Sequence, residues 1–229
     1  MALSNPLDSL SSDSSTAKML TLVTAEMEPP APYHLLTSVV APRPIAWVST
    51  LSTEGVPNLA PYSFFNAVAG FPPTIMFSVS YRRREPQEKD TLRNVKATGE
   101  FVCHVVDEAL CEAMVKTAVD LPHGISEFEA VGLEAEPATE VKPPRLKDAP
   151  VAMECKVTQI VPVEGATNVM VLGQVLRFHI RQDLYRNSLG LVDTVQMQPI
   201  TRLGGPVEYT KIGELIHLPT PQNLPHHPG

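Results

Sequence analysis

A mainly β chain, folded as a barrel with a few short helices, is what this sequence predicts. Three observations carry the expectation. Its 23 prolines are scattered along all 229 residues, punctuating many short elements and suiting strands and turns better than a helical bundle. Several apolar runs alternate with the period of a strand, and helical periodicity surfaces in only two places.

In chain order, residues 45–51 and 74–81 read as strands, the second set off by Pro72 and Pro73. A helix begins at Asp90 or Thr91, directly after Lys89, and stops before Gly99. Residues 101–106 form another short apolar run. Asp107 then caps a helix in which Leu110, Ala113, Met114 and Thr117 share one face. Residues 120–150 are rich in Pro, Gly and Glu and read as a long surface excursion. Within 151–159, Val151, Met153, Cys155 and Val157 alternate with Ala152, Glu154, Lys156 and Thr158, as in a half-buried strand. In 176–181, Leu176, Phe178 and Ile180 oppose Arg177, His179 and Arg181, with Gly165 and Asn168 supplying a turn between the two runs.

The length suits one domain, placed at 19–218, between a Ser- and Asp-rich disordered leader (1–18) and a flexible tail (219–229). The leader lacks the apolar core of a secretory signal, and no apolar run is long enough for a bilayer, so no membrane partner is expected. A net charge of −7 argues against nucleic acid as a partner. The one basic cluster, Arg82-Arg83-Arg84, suits a solvated loop or a phosphate contact equally. Cys103, Cys111 and Cys155 show no metal spacing and read as buried free thiols, which points to a reducing, cytoplasmic compartment. No metal site is expected. His226 and His227 fall in the tail, and His104 reads as structural.

The chemistry concentrates in residues 43–93. Trp47, Phe64 and Phe65 offer flat walls, though core packing explains Trp47 and Phe64 as well. Ser49, Thr50, Ser63, Asn66, Ser78 and Ser80 offer small hydrogen-bonding groups within strands or at their ends. Lys89 and Thr91 flank a helix start, where backbone N–H groups meet a phosphate. That set suits a planar cofactor with a phosphate tail.

The ordered motifs RPIAWVST, GVPNLAPYSFFNAV, PPTIMFSVS and KDTLRN, followed by LPHGISEFEAVGL and GQVLRFHI, resemble the flavin reductase-like, FMN-binding split-barrel family, in its flavoredoxin-type branch. The resemblance spans residues 32–214 and implies a Greek-key split β-barrel, a homodimer, and FMN bound close to the dimer interface. By that resemblance Trp47, Ser49 and Thr50 border the flavin, and Ser63, Phe64, Phe65 and Asn66 approach the ring and ribityl chain. Ser78 and Ser80 fall near the ribityl and phosphate, and Lys89 and Thr91 at the phosphate. His123 matches a loop near the flavin's exposed side, or is simply a solvent-facing loop histidine.

The expected function is an FMN-dependent oxidoreductase moving electrons from NAD(P)H to free flavin or another acceptor, such as an oxygenase partner. No side chain is assigned a catalytic role, because the cofactor carries the chemistry. One departure stands out: the Gly-Asp-His-like triplet of the short reductases is absent, and the late stretch reads Arg202-Leu203-Gly204-Gly205 with Tyr209 after it. The competing expectation is therefore an FMN-bearing electron carrier without nicotinamide activity. A barrel that binds no cofactor is the third.

Overall fold

The structure, a computed structural model, describes residues 18–81, 88–186, 188 and 190–218. Arg82-Arg83-Arg84, leader residues 1–17 and the tail 219–229 with its two histidines lie outside the described residues.

After a 3-10 turn at Thr24–Glu26 comes a helix that periodicity did not flag, α1 (Ala31–Val39), started by the proline-rich Pro29–Pro32 stretch. Strands β1 (Arg43–Pro44), β2 (Ala46–Leu51), β3 (Pro57–Tyr62), β4 (Phe65–Gly70) and β5 (Pro73–Ser80) follow. Helix α2 (Asp90–Thr98) starts where expected. Gly99 ends it at φ 70°, a left-handed conformation that glycine adopts without steric cost, and its N–H reaches Val95 O at 3.0 Å.

Strand β6 (Glu100–Val105) leads to Asp107, whose carboxylate accepts the Leu110 N–H at 3.2 Å and opens a 3-10 turn running into α3 (Cys111–Lys116). The excursion that follows is more structured than its composition suggested: it holds α4 (Glu127–Val131) and the paired β7 (Ala135–Glu136) and β8 (Arg145–Leu146). The expected hairpin is β9 (Val151–Pro162) with β10 (Asn168–Ile180). Short elements complete the chain: β11 (Tyr185–Arg186), β12 (Leu191–Val192), α5 (Thr194–Met197), β13 (Thr201–Arg202) and β14 (Tyr209–Thr210).

The main sheet is antiparallel, in the order β3-β2-β6-β9-β10-β5-β4. The connection through α2 carries the chain from β5 back to β6 beside β2, the crossover of a Greek key. A second sheet, β1-β13-β14, brings the late Arg202 stretch next to Arg43. This is the mainly β split barrel that the sequence predicts.

Two apolar clusters share strand β2. Val48, Phe77, Phe101, Cys103, Cys155 and Val171 pack inside the barrel. Trp47 and Leu59 pack on the opposite face against Met114 of α3 and Phe128 of α4. Tight packing also explains Gly173 in β10: a Cβ there would lie 2.4 Å from the Phe101 ring. The three cysteines are free, with Cys103 and Cys155 buried and Cys111 half-buried. Among the described residues, no helix is long and apolar enough to cross a membrane.

Two strand readings need correction. Glu154 does not face solvent. It is wholly buried, because loop 138–141 covers that face of β9 and donates the N–H groups of Thr139, Glu140 and Val141 to its carboxylate, while His179 Nε2 meets Oε1. Leu176 and Phe178 are not buried: they are 43% and 52% exposed, at a stretch where a bulge between Val175 and Arg177 interrupts the ladder before Phe178 pairs with Met153 and Ile180 with Val151.

His104 is structural, as expected. Its Nδ1–H donates to Trp47 O at 2.8 Å and its Nε2 accepts the Leu146 N–H at 2.9 Å, a pairing that requires the neutral ring. Burial pushes its pKa down to about 4. The unfolded chain therefore takes up a proton near pH 6.5 that the folded protein refuses, and stability falls as pH drops from 6.5 towards 4. A loss on the order of 3 kcal/mol across that window is expected from this group. Urea unfolding of the wild type and of His104→Gln at pH 7.5 and pH 5 checks it. Equal pH dependence in the two proteins would remove His104 as the cause.

Candidate functional site

The N-terminus of α2 opens into a cavity of about 100 Å³ whose lining includes Asn58, Tyr62, Lys89, Asp90, Thr91 and Glu127. The helix is pinned there by buried amide–hydroxyl bonds. Asn58 Nδ2 of β3 donates to Thr91 Oγ1 at 2.9 Å, and Asn94 Nδ2 donates to Thr50 Oγ1 of β2 at 3.0 Å. Lys89, the residue preceding the helix, makes no side-chain capping bond, so the first-turn N–H groups keep the partial positive charge of a helix start.

Asp90 Oδ1 lies 2.8 Å from His123 Nδ1 and 3.3 Å from Arg93 Nη1, and the Arg93 charge offsets its own. Glu127 Oε2 accepts the Leu59 N–H at 2.9 Å. The Tyr62 hydroxyl is buried and makes no hydrogen bond among the described residues. Burial pushes its ionisation upward, so it stays a neutral donor.

A second cavity, of about 630 Å³, shares Pro61 and Ala118 with the first. Arg43, Arg202, Tyr33, Tyr209, Ile45 and Met114 are among its walls, with Ser63 at its edge. Arg43 is only 6% exposed. Its Nη1 donates to the carbonyls of Thr37 and Val40, its Nη2 to Leu203 O at 3.0 Å, and its guanidinium lies 5.9 Å from the Phe64 ring centre. The Arg202 guanidinium lies 4.7 Å from the Tyr209 ring centre and donates to Tyr209 Oη, Gly205 O and Pro206 O.

Of the residues singled out by sequence, the structure brings Lys89 and Thr91 to the small cavity, His123 against Asp90 of its lining, and Ser63 to the large one. Phe64 sits beside Arg43. Three expectations are corrected. Trp47, Ser49 and Thr50 have no exposed surface, because β2 is covered by the barrel core on one face and by α3, α4 and the Pro144 loop on the other. The Trp47 Nε1–H donates to Thr117 Oγ1 at 2.9 Å and Ser49 Oγ to Pro144 O, so these side chains hold the scaffold and leave no surface for a ligand.

Phe65, Asn66, Ser78 and Ser80 line neither cavity. Phe65 packs against the barrel core, Asn66 is exposed on β4, and Ser78 Oγ accepts a bond from Asn168 Nδ2. Sequence reasoning missed Arg43, Asn58, Tyr62 and Glu127. All four lie inside the quoted motifs, and Asn58 carried a visible signal as an amide within an apolar strand. Among the described residues, no cluster of His, Cys, Asp or Glu suits a metal ion.

The profile of the flavin reductase like domain matches residues 38–198. An uncharacterized protein of Halalkalibacterium halodurans is 40% identical over 193 residues, covering 82% of this chain and 90% of its own length. The crystal structure of nitrilotriacetate monooxygenase component B from Bacillus cereus superposes with a TM-score of 0.84 at 37% identity, covering 89% of this chain and all of that one. The 2-nitrobenzoate 2-nitroreductase NbaA of Pseudomonas fluorescens gives 0.80 at 36% identity, covering 91% of this chain and all of that one. Fold and cavities together define a split-barrel protein of the flavin-binding class. The chain belongs to the flavin reductase like domain family.

Proposed function

We propose that this chain binds FMN with its phosphate at the start of α2 and passes electrons from NAD(P)H through it to free flavin or another acceptor. The observation that carries this reading is the small cavity: a lysine, a helix N-terminus and a buried, unpartnered tyrosine hydroxyl converge there. These residues fit the group. Lys89 and the first-turn N–H groups suit a phosphate, while Tyr62 as donor and Glu127 as acceptor suit the hydroxyls of a ribityl chain. At about 100 Å³ the cavity is too small for a tricyclic ring, which the larger, adjoining cavity has the volume to receive.

FMN, when bound, supplies hydride acceptance and electron release. The chain's own residues bind and orient it: Asn58 and Asn94 hold α2 in place, and Arg93 offsets the Asp90 carboxylate beside the phosphate. The monooxygenase component and the nitroreductase named above support an oxidoreductase, and the former supports an oxygenase as one acceptor.

A homodimer belongs to this reading. Edge strand β4 leaves Val68 52% and the following Phe71 97% exposed, a surface that a second copy would cover. Free thiols support a cytoplasmic setting. The electron-carrier alternative draws on the late Arg202–Gly205 turn, which stands where the short reductases carry their Gly-Asp-His-like triplet.

Anaerobic mixing of the purified, flavin-loaded protein with NADH and with NADPH tests the proposal. Bleaching of the flavin band by either one is the expected result. A spectrum unchanged by both leaves the electron carrier. A colourless protein that takes up no added FMN removes both.

A further inference from the structure

Among the described residues that line the larger cavity, Arg43 and Arg202 carry positive charge and none carries a negative one. Among the described residues, neither Arg43 nor Arg202 forms an ion pair with a carboxylate. Every partner of the two is a backbone carbonyl or a hydroxyl. The acid in the adjoining turn, Glu208, bonds the Gly205 N–H at 3.0 Å instead. Burial lowers the pKa of Arg43, and the neighbouring Arg202 charge lowers it further. Like charges beside a sheltered space raise each other's energy, and buried charges in proteins are ordinarily paired.

We infer that this cavity is a binding subsite for a small organic acid, its carboxylate received by Arg202 in the field of Arg43 and its apolar body lying among Tyr33, Ile45 and Met114. Arg202 is the contact residue. It is half-buried, and its Nε–H makes no hydrogen bond among the described residues. Stacking beside Tyr209 holds the guanidinium plane in a fixed orientation, as recognition of a planar carboxylate requires. Arg43 is nearly enclosed and contributes charge rather than contact; its three carbonyl bonds tie α1 and the β13–β14 turn to the barrel. Apolar and aromatic walls around one charged edge match a ligand with an apolar body and one anionic end.

The inference deepens the FMN reading and rests on it for one point: an acid bound here would share the cavity with the flavin ring and lie beside it as a substrate. The probes are benzoate and its uncharged counterpart benzamide, titrated calorimetrically into the protein as purified, with the flavin spectrum recorded alongside. Benzoate should bind at least about tenfold more tightly than benzamide, and Arg202→Gln should bring the two to equal, weak affinity while Arg202→Lys restores part of the difference.

Equal affinities in the wild type would overturn the inference, as would a benzoate preference that survives Arg202→Gln. Simultaneous loss of FMN and benzoate in Arg202→Gln also overturns it, because the pair would then serve the flavin. So does benzoate failing to bind while NADH or NADPH loses affinity in that variant, which would assign the charges to nucleotide phosphates. A protein without FMN that still prefers benzoate keeps this inference and fails the flavin reading, so the two stand or fall separately.

Discussion

Lys89→Ala lowers FMN affinity by about 10- to 100-fold and leaves riboflavin affinity nearly unchanged, if the phosphate sits at the start of α2. The argument is one of charge. A charge-assisted hydrogen bond in a desolvated site contributes about 1.5–3 kcal/mol, and only FMN carries the charge that would lose it. Lys89 is half-buried and lines the small cavity, so solvent screens it only in part. Its side chain makes no capping bond to α2, so its removal spares the helix. Flavin fluorescence titration with both ligands reads the effect. An equal loss of FMN and riboflavin would place Lys89 away from the phosphate.

The second large effect concerns stability. Glu154→Ala should destabilise the fold by about 3–5 kcal/mol, the cost of breaking a buried charge network. The Glu154 carboxylate has no solvent exposure and gathers three backbone N–H groups together with His179. Truncation leaves those donors facing an apolar void. Burial alone would raise the pKa of Glu154, yet the N–H groups of Glu140 and Thr139, with His179, hold it below the usual carboxylate value. Its contribution is therefore fully present above pH 4.5 and is lost as pH falls through the lower folded value. Urea unfolding at pH 7 measures the loss. A variant within 1 kcal/mol of wild type, on the order of a neutral surface substitution, would show that loop 138–141 does not depend on this anchor.

The barrel was legible because its strands advertise themselves. Residues 45–51, 74–81 and 101–106 are short apolar runs bounded by Pro or Gly, and the structure places a strand at each. Helix α2 was legible from Lys89-Asp90-Thr91 at one end and Gly99 at the other, because caps are local chemistry. What misled was depth. Strand β2 looks half-exposed in sequence, with Ser49 and Thr50 as its polar positions, yet both its faces are covered by segments distant in the chain. A hydroxyl bonded to Pro144 O is indistinguishable in sequence from one awaiting a ligand. The same limit hid Glu154, whose partners arrive from a loop that composition marked as surface.

The candidate site divides in the same way. Its α2 end was readable because a helix start is a local motif. The Arg43–Arg202 pair was not, because 158 intervening positions separate the two residues and only the pairing of β1 with β13 brings them together. The bulge in β10 illustrates a third kind of failure. Strand periodicity holds only while the register holds: one extra residue near Val175 moves the face that Val175 shares with Cys155 on to Phe178 and Ile180, opposite Met153 and Val151.

The two amide bonds that pin α2 also bear on what happens between turnovers. Asn58 to Thr91 and Asn94 to Thr50 are buried contacts made entirely by the protein, so they persist when the small cavity is empty. The helix start is then preorganised: a ligand arriving there orders little of the chain and forfeits little binding energy to conformational entropy. Release asks equally little of these residues, since both bonds hold with or without a ligand. A flavin that is exchanged rather than kept would find this end of the barrel ready each time.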